Sequence, residues 1–124
     1  AVSNGLDALR LTLRAWVILG RLRPGDEVLV PANTYIASVL AISDAGLTPV
    51  IAPPDPRTMN LDTAICRRLL SARTRAVMPV HLYGTPCCDV DLMALAADAG
   101  LLVLEDNAQA IGARAAVAGV NGTR

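Results

Sequence analysis

Apolar residues recur at helical spacing from Leu6 to about Leu22, at Leu6, Leu9, Leu13, Trp16 and Val17, with Leu19 or Gly20 completing the stripe. Ser3 or Asn4 stands ready to cap this helix. After the turn Arg23-Pro24-Gly25-Asp26, the run Glu27-Val28-Leu29-Val30, closed by Pro31, predicts a strand. The alternation then repeats. A helix capped by Asn33 or Thr34 runs through about Ser43 and stops at Gly46, and Thr48 to Ala52 forms the next strand. A third helix spans about Asp62 to Leu70, capped by Asn60, and Arg75 to Val80 gives a third strand whose Pro79 marks a strand end or irregularity. A fourth helix, about Val90 to Ala99, has Asp89 as its cap and Gly100 as its stop.

The last strand, Leu101-Leu102-Val103-Leu104, has no polar alternation and is therefore expected at the centre of the sheet, buried on both faces. Strands separated by helices of this length predict an α/β fold, a three-layer αβα with a mostly parallel central sheet. The chain opens on a capped helix and closes on the loop Gly119 to Arg124, so residues 1–124 are expected to be part of one domain, truncated at both ends. A segment lacking its flanks is expected to be poorly soluble or oligomeric.

Composition narrows the function classes. The chain has 124 residues, the size of one domain able to bury roughly two-thirds of its unfolded surface, and 53% of them are hydrophobic. Eleven cationic residues, all arginine, balance eleven acidic ones without blocks, which argues against nucleic acid and against a membrane surface as partners. No apolar run approaches the roughly 20 residues of a membrane span, and the start lacks signal-peptide layout, giving a cytoplasmic expectation. Cys66, Cys87 and Cys88 form neither a C-x-x-C pair nor a metal-ligand spacing, so reduced structural thiols and no metal are expected.

In open parallel sheets, ligands bind beyond the carboxyl ends of the strands. Three such ends here read Pro31-Ala32-Asn33-Thr34-Tyr35, His81-Leu82-Tyr83-Gly84 and Glu105-Asp106-Asn107-Ala108-Gln109, and they hold the chain's histidine and both tyrosines. The turn Ser3-Asn4-Gly5-Leu6-Asp7 adds backbone N–H donors and the positive end of a helix dipole, a seat for phosphate or simply a capped helix. Asp106 is the sharper case. A carboxylate just past an apolar strand is costly to desolvate unless it meets a cation or several donors. A cap or an arginine pair would satisfy it, and so would a protonated heterocycle nitrogen such as the pyridinium of pyridoxal phosphate.

The strings SNGLDAL, GDEVLVPANTYIAS, AVMPVHLYG, LLVLEDNAQAIGA and GVNG, in this order and over nearly the whole chain, resemble the DegT/DnrJ/StrS family of pyridoxal phosphate-dependent sugar aminotransferases. The resemblance implies the large cofactor-binding domain of a fold-type I transferase, and a homodimer that moves an amino group from an amino acid, glutamate, to a nucleotide-linked keto-sugar. It implies that Asp106 binds the pyridine nitrogen, Gln109 the ring's 3-oxygen, and Tyr35 the ring face. The turn at Asn4, Gly5 and Leu6 would take the phosphate through the N–H groups of Gly5, Leu6 and Asp7. His81 and Tyr83 would line the substrate side. Where the family usually has Gly-Thr in the phosphate turn, this chain has Gly5-Leu6, losing a side-chain hydroxyl.

The residues contain no lysine. The family's Schiff-base lysine, which moves the proton between substrate and cofactor carbons, lies shortly after the GVG-like turn and is expected beyond Arg124. The chain alone is accordingly expected to have no catalytic residue and no activity. The alternatives are a dehydratase of the same family, with histidine in the lysine's place, and a non-catalytic cofactor-binding or regulatory protein. A plain nucleotide-binding domain has no G-x-G-x-x-G or P-loop lysine to support it.

Overall fold

A computed structural model describes residues 1–114. The first helix, α1, covers Gly5–Ile18; Asn4 is its cap, in extended backbone conformation, with its side chain accepting from the Asp7 N–H. It ends four residues earlier than the apolar stripe suggested. Gly20 adopts φ +70°, and the N–H groups of Arg21 and Leu22 both return to the Trp16 carbonyl, turning Leu22 inward as a buried plug. The next elements are β1 (Glu27–Pro31), α2 (Ile36–Asp44), β2 (Thr48–Ala52) and α3 (Thr63–Leu69). They are followed by β3 (Thr74–Val77), a 3-10 turn at Leu82–Gly84, α4 (Val90–Asp98) and β4 (Leu102–Val103).

All strand pairs are parallel, in the order β2-β1-β3-β4. Strand direction within the chain sends β1 to β2 on one side and β3 to β4 on the other, so the order reverses between β1 and β3. A ligand crevice is expected outside the carboxyl ends at such a point. Successive side chains of β1 serve opposite layers, as the period-2 geometry of a strand requires. Val28 and Val30 join Leu9, Leu13, Ala41 and Ile42 under α1 and α2, while Leu29 joins Cys66, Leu92 and Leu95 under α3 and α4. The fold is the expected three-layer αβα.

Three local expectations are corrected. The helix after Asn60 is capped by Asp62, whose carboxylate accepts from the N–H groups of Ala64 and Ile65. Asn60 is buried instead and braces the 3-10 turn, accepting from the Leu82 N–H and donating to the Thr85 carbonyl. Neither Asn33 nor Thr34 caps α2, which starts after Tyr35 with no side-chain cap; the Asn33 amide donates to the Met59 carbonyl, joining the loop after β1 to the loop between β2 and α3. Finally, β4 is no central strand among the described residues. It pairs with β3 alone, and residues 101–104 are half-buried because no described neighbour covers the other edge. Among the described residues, no helix is long and apolar enough to cross a membrane.

Glu27 ties the starts of β1 and β3 together. It is 6% exposed and accepts from Ser71 Oγ, from Thr74 Oγ1 at 3.1 Å and from Arg73 Nε and Nη2 at 3.1 and 2.8 Å. The Ser71 hydroxyl first, then Arg73 and Thr74, holds its carboxyl below the ordinary 4.5 against the opposing effect of burial. A depressed folded-state pKa means that the unfolded chain binds the proton first as pH falls. The contribution to stability is therefore full above about pH 4.5 and is lost as pH drops through the lower folded value. Thermal melts between pH 6 and 3 are expected to show a falling Tm, with a smaller acid slope in Glu27→Gln. An unchanged slope in that variant would remove Glu27 from the account.

Candidate functional site

The backbone of the β3–β4 region carries Asp106 to the carboxyl end of the sheet. Pairing continues irregularly past Pro79: the Leu104 N–H reaches the Val77 carbonyl, the Asp106 N–H reaches Pro79, and the His81 N–H reaches the Asp106 carbonyl. A parallel bridge joins Val80 to Asp106. The first turns of α1 and α2 converge on the same end. Between them lies a cavity of about 400 Å³, within the ordinary range for a small-molecule site. Asn4, Gly5, Leu6, Tyr35, Asp106 and Gln109 all line it, together with Leu9, Ala37, Ser38 and Ala108.

The half-buried Asp106 carboxylate is held at both oxygens. Ser38 Oγ donates to Oδ2 at 3.0 Å, and the Ala108 N–H donates to Oδ1 at 3.2 Å. No arginine pairs with it among the described residues. Its negative charge thus faces the cavity without a cationic partner, near the uncapped, electropositive first turn of α2.

Gln109 is oriented by a different device. Tyr83 sits at φ 58°, followed by Gly84 at φ 77°, and this left-handed pair aims the Tyr83 N–H at Gln109 Oε1, 2.8 Å away. A donor on one side fixes that atom as the oxygen, so the amide NH2 is the end left for an acceptor. Tyr35 is 73% exposed at the rim, where its ring can cover a flat ligand.

At the α1 end, Asn4 Oδ1 occupies the Asp7 N–H and the Asn4 carbonyl takes the Ala8 N–H. The expected three-amide seat is thereby reduced to the N–H groups of Gly5 and Leu6, which no hydrogen bond engages among the described residues. The Asp7 carboxylate also sits in this turn, held ionised below its usual range chiefly by the Ser3 hydroxyl, with Arg10 and Asn4 assisting. Its charge opposes an anion there. Arg10, 2.7 Å from Asp7 and 3.3 Å from Asp44, offsets part of it.

His81 stands apart from this cavity. The ring is buried; Nδ1 accepts from the Cys87 N–H at 3.1 Å, so the hydrogen sits on Nε2 and points at Glu105 Oε2, 2.9 Å away. The substrate-wall expectation for His81 therefore meets a fully engaged imidazole outside the cavity lining, and Tyr83 contributes through its backbone, its side chain being 70% exposed. His81, Cys88 and Glu105 do bring three ligand-type atoms within 4.8 Å of one another. That arrangement is a poor metal centre, because the one ring nitrogen aimed at it bears the hydrogen, and burial, with Glu105 nearby, pushes the Cys88 thiol up to about 12. Burial likewise pushes Cys66 and Cys87 up to about 11; all three cysteines are free.

Sequence reasoning passed over Ser38, which touches Asp106, and over the apolar liners Leu9, Ala37 and Ala108. The GVNG string at residues 119–122 and the terminal Arg124 lie outside the described residues.

A family model described as the DegT/DnrJ/EryC1/StrS aminotransferase family matches residues 1–121. The GDP-perosamine synthase of Caulobacter vibrioides is 50% identical over 114 residues, covering 91% of this chain and 29% of the relative. A dTDP-3-amino-3,6-dideoxy-alpha-D-galactopyranose transaminase of Aneurinibacillus thermoaerophilus is 50% identical over 112 residues, 90% of this chain and 30% of that protein. Among solved structures, Streptomyces venezuelae DesV in complex with a ketimine intermediate superposes with a TM-score of 0.83 at 49% identity, over 90% of this chain and 29% of DesV. The chain thus spans about 30% of the length of the relatives it matches.

Proposed function

The chain belongs to the DegT/DnrJ/EryC1/StrS aminotransferase family, and from that premise we propose that it is the cofactor-holding part of a longer pyridoxal phosphate-dependent aminotransferase. The complete protein transfers an amino group from an amino acid, glutamate, to a nucleotide-linked keto-sugar. It works in the cytoplasm as a homodimer, and the exposed Ile36 and Leu40, one turn apart on α2, suit a subunit contact.

The observation that carries the reading is the grouping of an arginine-free carboxylate, an oriented amide and an exposed tyrosine around one cavity closed by a helix N-terminus. Pyridoxal phosphate, when bound, supplies the electron sink that amino-group transfer requires. The residues divide the remaining work. Asp106 holds a proton on the ring nitrogen by pairing with it, and Gln109 donates its NH2 to the ring's 3-oxygen. Tyr35 covers the ring face and excludes water from it. The N–H groups of Gly5 and Leu6 bind phosphate, with Asn4 keeping that turn in shape. His81, locked between Cys87 and Glu105, shapes the strand end beside the site, and Tyr83 fixes Gln109. The proton-moving lysine is supplied by sequence beyond residue 124, and residues 1–124 alone, one truncated domain, are inactive.

The test is to extend the reading frame, purify the complete protein and incubate it with L-glutamate and a panel of nucleotide-linked keto-sugars. Mass spectrometry is expected to find 2-oxoglutarate and a sugar whose keto oxygen has become an amino group. A sugar that loses a hydroxyl and keeps no nitrogen would move the protein to the dehydratase branch. Cofactor binding with no product from any sugar would favour a binding or regulatory protein.

A further inference from the structure

We propose that Ser38, backed by Thr34, is a positioning residue that sets the Asp106 carboxylate for the cofactor's ring nitrogen without spending its charge; the proposal rests on the reading above. Ser38 lies in the first turn of α2 and is 1% exposed. A serine hydroxyl has one hydrogen. Asp106 Oδ2, 3.0 Å away, can only accept it, so the 2.9 Å contact between Ser38 and Thr34 runs from the Thr34 hydroxyl to Ser38 Oγ. The result is a directed chain, Thr34 to Ser38 to Asp106, in which each donor polarises the next.

The choice of donor is the point. An arginine at this place would orient the carboxylate equally well and would also neutralise it, leaving a weaker partner for a cationic ring. A buried hydroxyl and the Ala108 N–H fix both oxygens and carry no net charge. Ser38 sits on a helix and Ala108 on the turn past β4, so the carboxylate is clamped from two separate elements. The ordinary account, a buried serine that merely needs an acceptor, would be met as well by a carbonyl one turn back in the chain, at Thr34 or Tyr35 just before α2. Ser38 instead reaches a residue 68 positions away.

The complete protein is loaded with pyridoxal phosphate labelled with nitrogen-15 in the ring, and the ring-nitrogen resonance and cofactor Kd are measured for wild type, Ser38→Ala, Ser38→Thr and Thr34→Val. Ser38→Ala is expected to weaken cofactor binding about tenfold and to move the resonance toward its unprotonated position. Ser38→Thr, which keeps the hydroxyl, should restore both. Thr34→Val should shift them less, in the same direction, and carries the test if Ser38→Ala does not fold. A Ser38→Ala resonance and Kd equal to wild type, with only the melting temperature changed, would overturn the positioning role. A wild-type protein that binds no cofactor would instead sink the functional reading beneath it.

Discussion

Asp106→Asn in the complete protein is expected to lower kcat by about 10²–10³-fold, the scale on which preorganised charge contributes to a transition state. The substitution is nearly isosteric. Its remaining oxygen can accept from Ser38 or from the Ala108 N–H, though not from both through separate oxygens as the carboxylate does. The structural cost is thus about one hydrogen bond, roughly 1 kcal/mol. What disappears is the unpaired negative charge on the cavity wall. Steady-state kinetics beside a thermal melt separates the two, because a merely structural Asp106 would move Tm and leave kcat near wild type. Asp106→Glu keeps the charge but pushes it further into the cavity, and its kcat should fall between the two.

The wall that Asp106 belongs to was readable in advance because its residues stand at strand ends and in strings of strong local character. Asn4, Gly5, Leu6, Tyr35, Asp106 and Gln109 are far apart in sequence yet share one cavity. Ser38 escaped because a serine in the first turn of an apolar helix carries no distinguishing local signal, and its acceptor lies across the sheet. For His81 the surroundings, and not the string, decide what the ring touches. A histidine at a strand end beside the site looks exposed to substrate, but the ring orientation is decided by Cys87 and Glu105, which no spacing rule connects to it. The turn at the start of α1 fell between these cases: its place on the cavity wall was legible, whereas the loss of the Asp7 N–H to the Asn4 cap follows from side-chain geometry alone.

The fold shows a similar division. Helix stripes and flanking breakers located α1 to α4, though not the 3-10 turn at Leu82–Gly84, and β1 and β2 match their apolar runs, because burial periodicity is a local property. Caps were less secure. Asn60 and Asp62 are both good capping residues two positions apart, and the decision between them depends on Asn60 finding better partners in the Leu82 and Thr85 backbone. For β4, four consecutive apolar residues record how much covering the strand is suited to, which is more than the described neighbours provide.

The same two-sided covering sets the largest stability effect. Leu29→Ala is expected to destabilise the protein by about 2–5 kcal/mol, a large part of the 5–15 kcal/mol typical of a native domain. Leu29 is fully buried on β1, which lies between β2 and β3, and it packs in the layer with Leu92, Leu95 and Cys66. Backbone pairing on both sides pins the strand, so the layer cannot close over the lost methyl groups and the cavity term stays near its full value. Leu19→Ala, at a side chain 71% exposed, is the matched control and should change stability by less than about 0.5 kcal/mol. Denaturant titration should show a lower midpoint for Leu29→Ala with an unchanged slope, the mark of lost stability without a change in exposed area. Leu29 faces away from α1 and α2, the helices whose first turns line the cavity. Cofactor affinity measured well below the melting temperature should therefore hold within a few-fold. A loss of affinity as large as the loss of stability would mean that the two layers are coupled through β1 more tightly than their separate cores indicate.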